Sequence, residues 1–357
     1  MMANQKPHIL WDWGSAYDLF TSLNVLHFPE HFGLRASWAA GVRSRLATLD
    51  RTVLEEAQEL FFSNPFAWVS SLPRPKDAAV VLRELGQIPP AERLSTLAHH
   101  ADEDSGVFKV LKDVMARRAW DDKDLEQLQS FRHHKDEKMP EQKVLISALN
   151  WWSHPEEFGE RYLAALQSYV TVFFAEEEQH ILPYLQQALS RAQELAEKLN
   201  FSDLFIELSQ GVLIKYIEEA DEVMFVPSYW STPYVMYDSV VEKHWVVLYG
   251  ARPADVPLVP GEIVPDAMLR ALKALSDPTR LKIMRYLSAS PQTPSQLAKR
   301  LRLRPPTVIH HLNALRLAGL VYITILDNEE KRYTVRVSEV TDTFEGLQKY
   351  LMVKGDS

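Results

Sequence analysis

Ala274-Leu275-Ser276-Asp277-Pro278-Thr279-Arg280 opens the stretch that decides the reading of this chain, and Gly319-Leu320-Val321 closes it. Asp277 is a helix-capping residue type, and Pro278 follows at the first helical position, where a missing N–H costs nothing. Leu281, Met284 and Leu287 then recur at helical spacing, with Ile283 beside them. Thr293-Pro294 repeats the start signal, which predicts a short second helix through Gln296 and Leu301. Pro305-Pro306 begins a third, in which Val308, Leu312 and Leu315 fall at i, i+4 and i+7 and so share one buried face. The other face offers Thr307, Ile309, His310 and Asn313. Gly319 suits a left-handed helix end. Two strand-like runs follow, Val321 to Leu326 and Arg332 to Val337, joined by the polar turn Asp327-Asn328-Glu329-Glu330-Lys331.

Three short helices closed by a charged hairpin make a helix-turn-helix with a wing. At this point the residues carry a resemblance. Leu272 through Ile283 resembles the second-helix signature of ArsR-type transcriptional regulators. Thr307 through Leu315, followed by Ala318-Gly319-Leu320-Val321, resembles their recognition helix. The match runs over roughly residues 265 to 351. It implies double-stranded DNA as partner, with Pro305, Pro306, Thr307, Ile309, His310 and Asn313 facing it. A helix in the major groove reads base edges while basic residues around it hold phosphates. Arg280, Lys299, Arg300, Lys331, Arg332 and Arg336 are the phosphate candidates. Two departures matter: Pro305-Pro306 stands where relatives often carry small polar residues, and Ile309 where serine is common. Proline cannot donate, and isoleucine offers only apolar contact, as with a thymine methyl. Base reading is therefore expected from His310 and Asn313, with Arg302 and Arg304 beside them; His311 is expected to lean inward. Upstream, the segments Tyr17 to His31 and Val226-Pro227-Ser228 are similar to the long N-terminal regions that precede some ArsR-like domains, a similarity that implies little about function.

The chain has 357 residues with 46% apolar content, enough for two or three cores. It holds no cysteine, so disulfides and thiolate metal sites are excluded. No apolar run approaches membrane-spanning length and no leader pattern opens the chain, so a soluble cytoplasmic protein without membrane contact is expected. The net charge of −9 hides an asymmetry. From residue 265 onward there are 15 Lys/Arg against 9 Asp/Glu, which leaves 24 against 39 before it. Between Arg270 and Arg316, ten basic residues face one acid, Asp277. An acidic body carrying a basic module is the charge signature of a DNA-binding head.

The fold class expected is mainly α with small β. Residues 1–220 are read as a helical domain for effector binding or dimerisation and 221–252 as a small β segment packed on it. Residues 253–264 form a Pro-rich linker, and 265–357 the winged helix-turn-helix. Within the first, the pattern predicts one long helix from Leu34 to Phe62, a kink or split at Pro183, and a helix over Phe201 to Leu213. The first ten residues suit an edge strand. Val223 to Val226, Tyr234 to Tyr237 and His244 to Tyr249 suit a small sheet or hairpin. Ser338 can cap a last helix through Phe344, Leu347, Tyr350 and Leu351. The resemblance gives such terminal helices the pairing of two chains, hence a homodimer.

Other chemistry is weakly signalled. The thiolate pair and the last-helix Asp/His pairs of metal-sensing relatives are absent here, so no metal is expected in the head. His99-His100 near Asp102 and Glu103, His133-His134, and Glu176 with His180 at i, i+4 are poor candidates for half a zinc site. There is no nucleophile elbow, Gly-rich phosphate loop or His-Glu-x-x-His, so neither an enzyme nor a cofactor is expected. All nine tryptophans precede residue 264. They suit a core, or a pocket for a small apolar effector. The reading is a dimeric transcriptional regulator, a repressor, controlled by such a ligand. The competing reading makes the N-terminal region a dimerisation or partner-binding scaffold.

Overall fold

A computed structural model describes residues 6–352, apart from 33, 35, 61–63, 99–105, 132–140, 254–255, 257–265 and 327–329. The histidine pairs at 99–100 and 133–134, most of the Pro-rich linker and the wing tip lie outside the described residues.

The body is built on a four-stranded sheet of β1 (His8–Trp11), β3 (Glu222–Ser228), β4 (Met236–Val241) and β5 (His244–Gly250), in the order β1-β3-β5-β4. β1 and β5 run parallel to β3, and only β4 is antiparallel, to β5. The expected hairpin is therefore the β4–β5 pair alone, and the N-terminal segment supplies the β1 edge. Both faces of the sheet are covered, as parallel sheets require. Val226, Val246 and Leu248 join the large helical core, while Val223, Phe225, Val247 and Tyr249 pack against the Phe201–Leu208 helix and its neighbours. The tryptophans belong to this packing: Trp152 and Trp230 are fully buried, and Trp38 stacks on Trp230 at 5.6 Å.

Three helical expectations need correction. The Leu34–Phe62 pattern is two helices, Ala36–Arg43 and Thr48–Leu60, separated where the Leu46 side chain turns into the core. Pro183 does not split its helix into two elements, since Ala175–Ala196 runs through it. Pro183 and Gln179 are both exposed, so the carbonyl that proline leaves without a donor faces water. The irregularity falls earlier, as a π-helical turn at Val170–Phe174. The helix over Phe201 ends at Leu208, because Gln210 and Gly211 take positive φ of 54° and 96°. Val212–Ile214 is then β2, a strand.

The two N-terminal segments that the sequence singled out meet in the fold. Asp18, on the Ser15–His27 helix, is fully buried and accepts hydrogen bonds from the Ser228 hydroxyl at 2.7 Å, the Trp230 N–H at 2.8 Å and the Tyr229 N–H at 3.2 Å. One carboxylate thus fixes the turn leaving β3.

Candidate nucleic-acid interface

The head assembles as its local signals predict. The Asp277 side chain accepts from the N–H groups of Thr279 at 2.8 Å and Arg280 at 2.9 Å, capping the Pro278–Ala289 helix. The Arg280 N–H foremost holds its carboxyl below the ordinary value. Thr293 caps the Pro294–Leu301 helix in a full capping box with Gln296. The Pro305–Leu317 helix buries Val308, Leu312 and Leu315 completely, and Gly319 ends it at φ 71°. Ile283, Met284 and Leu287 join the same core. Leu281 does not; it is 49% exposed. The wing pairs β6 (Val321–Ile325) antiparallel with β7 (Lys331–Val335).

Opposite the buried stripe of the Pro305–Leu317 helix, Pro305, Pro306, Thr307, Ile309, His310 and Asn313 are all exposed. Arg304 sits at the N-terminus of this helix, and Arg302 in the preceding turn holds the left-handed conformation at φ 56°. Lys299 and Arg300 are exposed on the last turn of the helix before, with the Arg300 guanidinium 5.6 Å over the Tyr286 ring. Four cations in six residues therefore ring the start of the helix, where its dipole is also positive. Lys331 and Arg332 are exposed on the wing, and Arg332 lies 3.2 Å from Glu330. His311 is half-buried, with its ring 3.9 Å from Asp277.

Two expected phosphate contacts are placed otherwise. Arg280 donates to the carbonyls of Ala274 at 2.8 Å and Lys273 at 2.9 Å, tying off the C-terminus of the Asp266–Leu275 helix. Arg336 bridges the head to the body, donating to the carbonyls of Gln210 at 3.0 Å and Gly319 at 3.3 Å and pairing with Glu339 at 2.8 Å. Likewise His180, paired by the sequence with Glu176, lies 3.4 Å from Glu177 and packs on the rings of Tyr184 and Tyr229.

The seam between head and body was not read from the sequence. β2 adds a parallel strand to the wing, with Val212, Leu213 and Ile214 opposite Ile323, Thr324 and Ile325. The Ile323 N–H donates to the Gly211 carbonyl at 2.8 Å. Arg316, near the end of the Pro305–Leu317 helix, lies 4.4 Å over the Tyr234 ring, whose hydroxyl donates to the His31 carbonyl at 2.6 Å. The signal available was a β-branched pair flanking Leu213 just after a glycine, too short to show a period. Gly211→Ala would place a Cβ 2.5 Å from a Tyr322 ring carbon at φ 96°. We expect it to loosen the seam by about 1–3 kcal/mol, read as faster amide exchange at Ile323; unchanged protection there would show that the seam does not depend on this approach.

Comparison with known proteins bears on the head alone. The family of bacterial regulatory proteins described as arsR matches residues 277–322. Over 54 residues the chain is 37% identical to the transcriptional repressor SdpR of Bacillus subtilis (strain 168), a match covering 15% of this chain and 60% of that protein's length. A solved ArsR-like transcriptional regulator from Rhodococcus sp. RHA1 aligns at 34% identity over 23% of this chain and 75% of its own, with a TM-score of 0.22. Residues 277–322 are thus an ArsR-family helix-turn-helix domain.

Proposed function

We propose that this chain, with its ArsR-family helix-turn-helix domain, is a sequence-specific transcriptional repressor that binds its operator as a homodimer and answers to a small-molecule effector. The observation that carries the reading is the Pro305–Leu317 helix. It keeps Val308, Leu312 and Leu315 inside, exposes His310 and Asn313, and is ringed by Lys299, Arg300, Arg302 and Arg304. Such a helix can enter a major groove with its cations on the flanking phosphates. Arg280 and Arg336 are withdrawn from the phosphate set, since backbone carbonyls and Glu339 hold them. Dimerisation is assigned to the terminal Val337–Met352 helix. It has no buried residue, and Phe344, Leu351 and Met352 are 53%, 70% and 70% exposed. A second such helix would cover that stripe.

The test is fluorescence anisotropy with the DNA upstream of the chain's own gene, beside a scrambled duplex of the same length. His310→Ala and Asn313→Ala are each expected to narrow the gap between the two by about 1–3 kcal/mol, leaving affinity for scrambled DNA unchanged. Equal weakening on both duplexes would remove these residues from base reading. A stoichiometry of one chain per duplex would remove the homodimer.

The competing reading, in which the body is a scaffold without an effector, predicts a filled core with a large exposed apolar face, and the effector reading a cavity with aromatic walls. A cleft between body and head, walled by Tyr184 and Tyr249 on one side and by Leu317 to Gly319 on the other, supports the effector reading.

A further inference from the structure

The Pro305–Leu317 helix starts without the donors that a helix N-terminus usually offers. Pro305 and Pro306 fill its first two positions and have no N–H. The N–H groups of Thr307 and Val308 both go to the Arg304 carbonyl, at 3.0 and 3.2 Å. No side chain caps this helix, whereas Asp277 and Thr293 cap the two before it. A helix start commonly holds a phosphate through its N–H groups. Here that task falls to the exposed side chains of Lys299, Arg300, Arg302 and Arg304, and the helix start itself presents carbon.

The apolar surface continues along the exposed face. Pro306, His310 and Asn313 follow one another at i, i+4 and i+7 and so share one side of the helix. Ile309 lies three residues from Pro306 and four from Asn313, which makes it a neighbour of both, and it is 37% exposed. Its side chain can neither donate nor accept a hydrogen bond. It is also β-branched and stiff, so ordering it in a contact costs little entropy. In a major groove the apolar group that the bases present is the C5 methyl of thymine. Cytosine has a bare C–H at that place, and 5-methylcytosine restores the methyl beside a different hydrogen-bonding edge.

We propose that Ile309, with Pro306 beside it, reads the C5 methyl of a thymine in the operator, so that binding responds to methylation of the pyrimidine at that place. The inference rests on the regulator reading and adds a third reader to His310 and Asn313. Those two distinguish bases by hydrogen bonds. Ile309 distinguishes them by a methyl whose removal leaves every hydrogen-bonding atom in place. Packing that methyl against isoleucine and proline takes apolar surface of both partners out of water. One methyl is then worth roughly a threefold to fivefold change in affinity. A homodimer makes the contact once in each half-site, so the two together are worth on the order of tenfold to twentyfold.

The experiment uses the full chain. A random-sequence duplex library is first enriched for binding, which finds the operator wherever it lies in a genome. Each thymine of the enriched site is then replaced in turn by deoxyuridine, symmetrically in both half-sites, and affinity is read by fluorescence anisotropy. At one position the replacement is expected to weaken binding by on the order of tenfold to twentyfold. A cytosine·guanine pair there should bind weakly, and 5-methylcytosine should regain about the factor that deoxyuridine lost. Ile309→Ala should bind the thymine and deoxyuridine operators equally while its far-ultraviolet circular dichroism and its affinity for scrambled DNA stay native. Ile309→Val, which keeps a branched apolar surface, should retain part of the methyl preference. An operator without thymine, indifference to deoxyuridine at every position, or a methyl preference that survives Ile309→Ala overturns the inference. Equal weakening of Ile309→Ala on operator and scrambled duplex overturns it too, because the residue would then act on the fold of the head. Selective binding that ignores the methyl sinks this inference alone. A library that enriches no sequence sinks the regulator reading, and this inference with it.

Discussion

Raising salt from about 50 to about 200 mM lowers the affinity of this chain for duplex DNA by roughly 10³–10⁵-fold. The expectation follows from where the cations stand. Each head exposes Lys299, Arg300, Arg302 and Arg304 around the start of the recognition helix, and Lys331 and Arg332 on the wing. If two heads together neutralise about six to ten phosphates, log affinity falls against log salt with a slope of roughly −5 to −9. The rest of the chain is acidic, with 39 Asp/Glu against 24 Lys/Arg before residue 265, so its net charge opposes the attraction. Arg302→Gln or Arg304→Gln should weaken operator and scrambled DNA alike and flatten the slope by about 1–2, since each removes one contact per head. Arg280→Gln should leave the slope unchanged and lower the melting temperature instead, because its guanidinium is held by the carbonyls of Lys273 and Ala274. A slope shallower than about −3, or one that responds to Arg280 and not to Arg302, would remove the head from phosphate binding.

The contrast between Arg280 and Arg302 shows where the sequence is legible. The head could be read because its signals are local. Asp277, Thr293 and Gly319 cap helices within three residues of themselves, and Val308, Leu312 and Leu315 lie on one face by spacing alone. The use to which a given arginine is put depends on which carbonyls or carboxylates come near it, and no spacing encodes that. Arg280 sits in the basic stretch and Arg336 just after the wing, and both guanidiniums donate to the protein's own carbonyls. The body was less legible for a related reason. β1 pairs with β3 across more than two hundred residues, and β2 with β6 across more than one hundred, so neither partner leaves a mark near the other. Val212 to Ile214 is three residues long, which is too short to show alternation. The cleft between body and head is bounded by segments far apart in the chain, so no local spacing announced it. The tryptophans pointed to the core instead, where Trp152 and Trp230 fill space.

Asp18→Ala destabilises the body by roughly 3–6 kcal/mol, because three buried donors lose their acceptor at about 1–3 kcal/mol each, not all additively. These donors are the Ser228 hydroxyl and the Tyr229 and Trp230 N–H groups. The turn they hold leads into Thr232 and Pro233, which line the cleft, and into Tyr234, which carries Arg316 of the recognition helix. The loss therefore reaches the seam, and amide protection at Ile323 should fall with it. Burial pushes the Asp18 carboxyl up to about 7, against the pull of the Trp230 and Tyr229 N–H groups and the Ser228 hydroxyl, with nearby Glu177 raising it further. The folded value lies above the ordinary 3.8, so the folded protein holds this proton where the unfolded chain has given it up. Stability contributed by the protonated group is complete below about pH 4. It declines as the pH rises toward about 7 and is level above that. Asp18→Asn keeps the shape and one acceptor but removes the proton. Relative to it, the wild type should lose stability between about pH 4 and pH 7, on the order of 3–4 kcal/mol, measured by urea unfolding across that window. Parallel curves would mean that Asp18 is ionised throughout, held so by its three donors. A fall in Asp18→Ala stability below about 1 kcal/mol would mean that the turn after β3 finds its acceptors elsewhere.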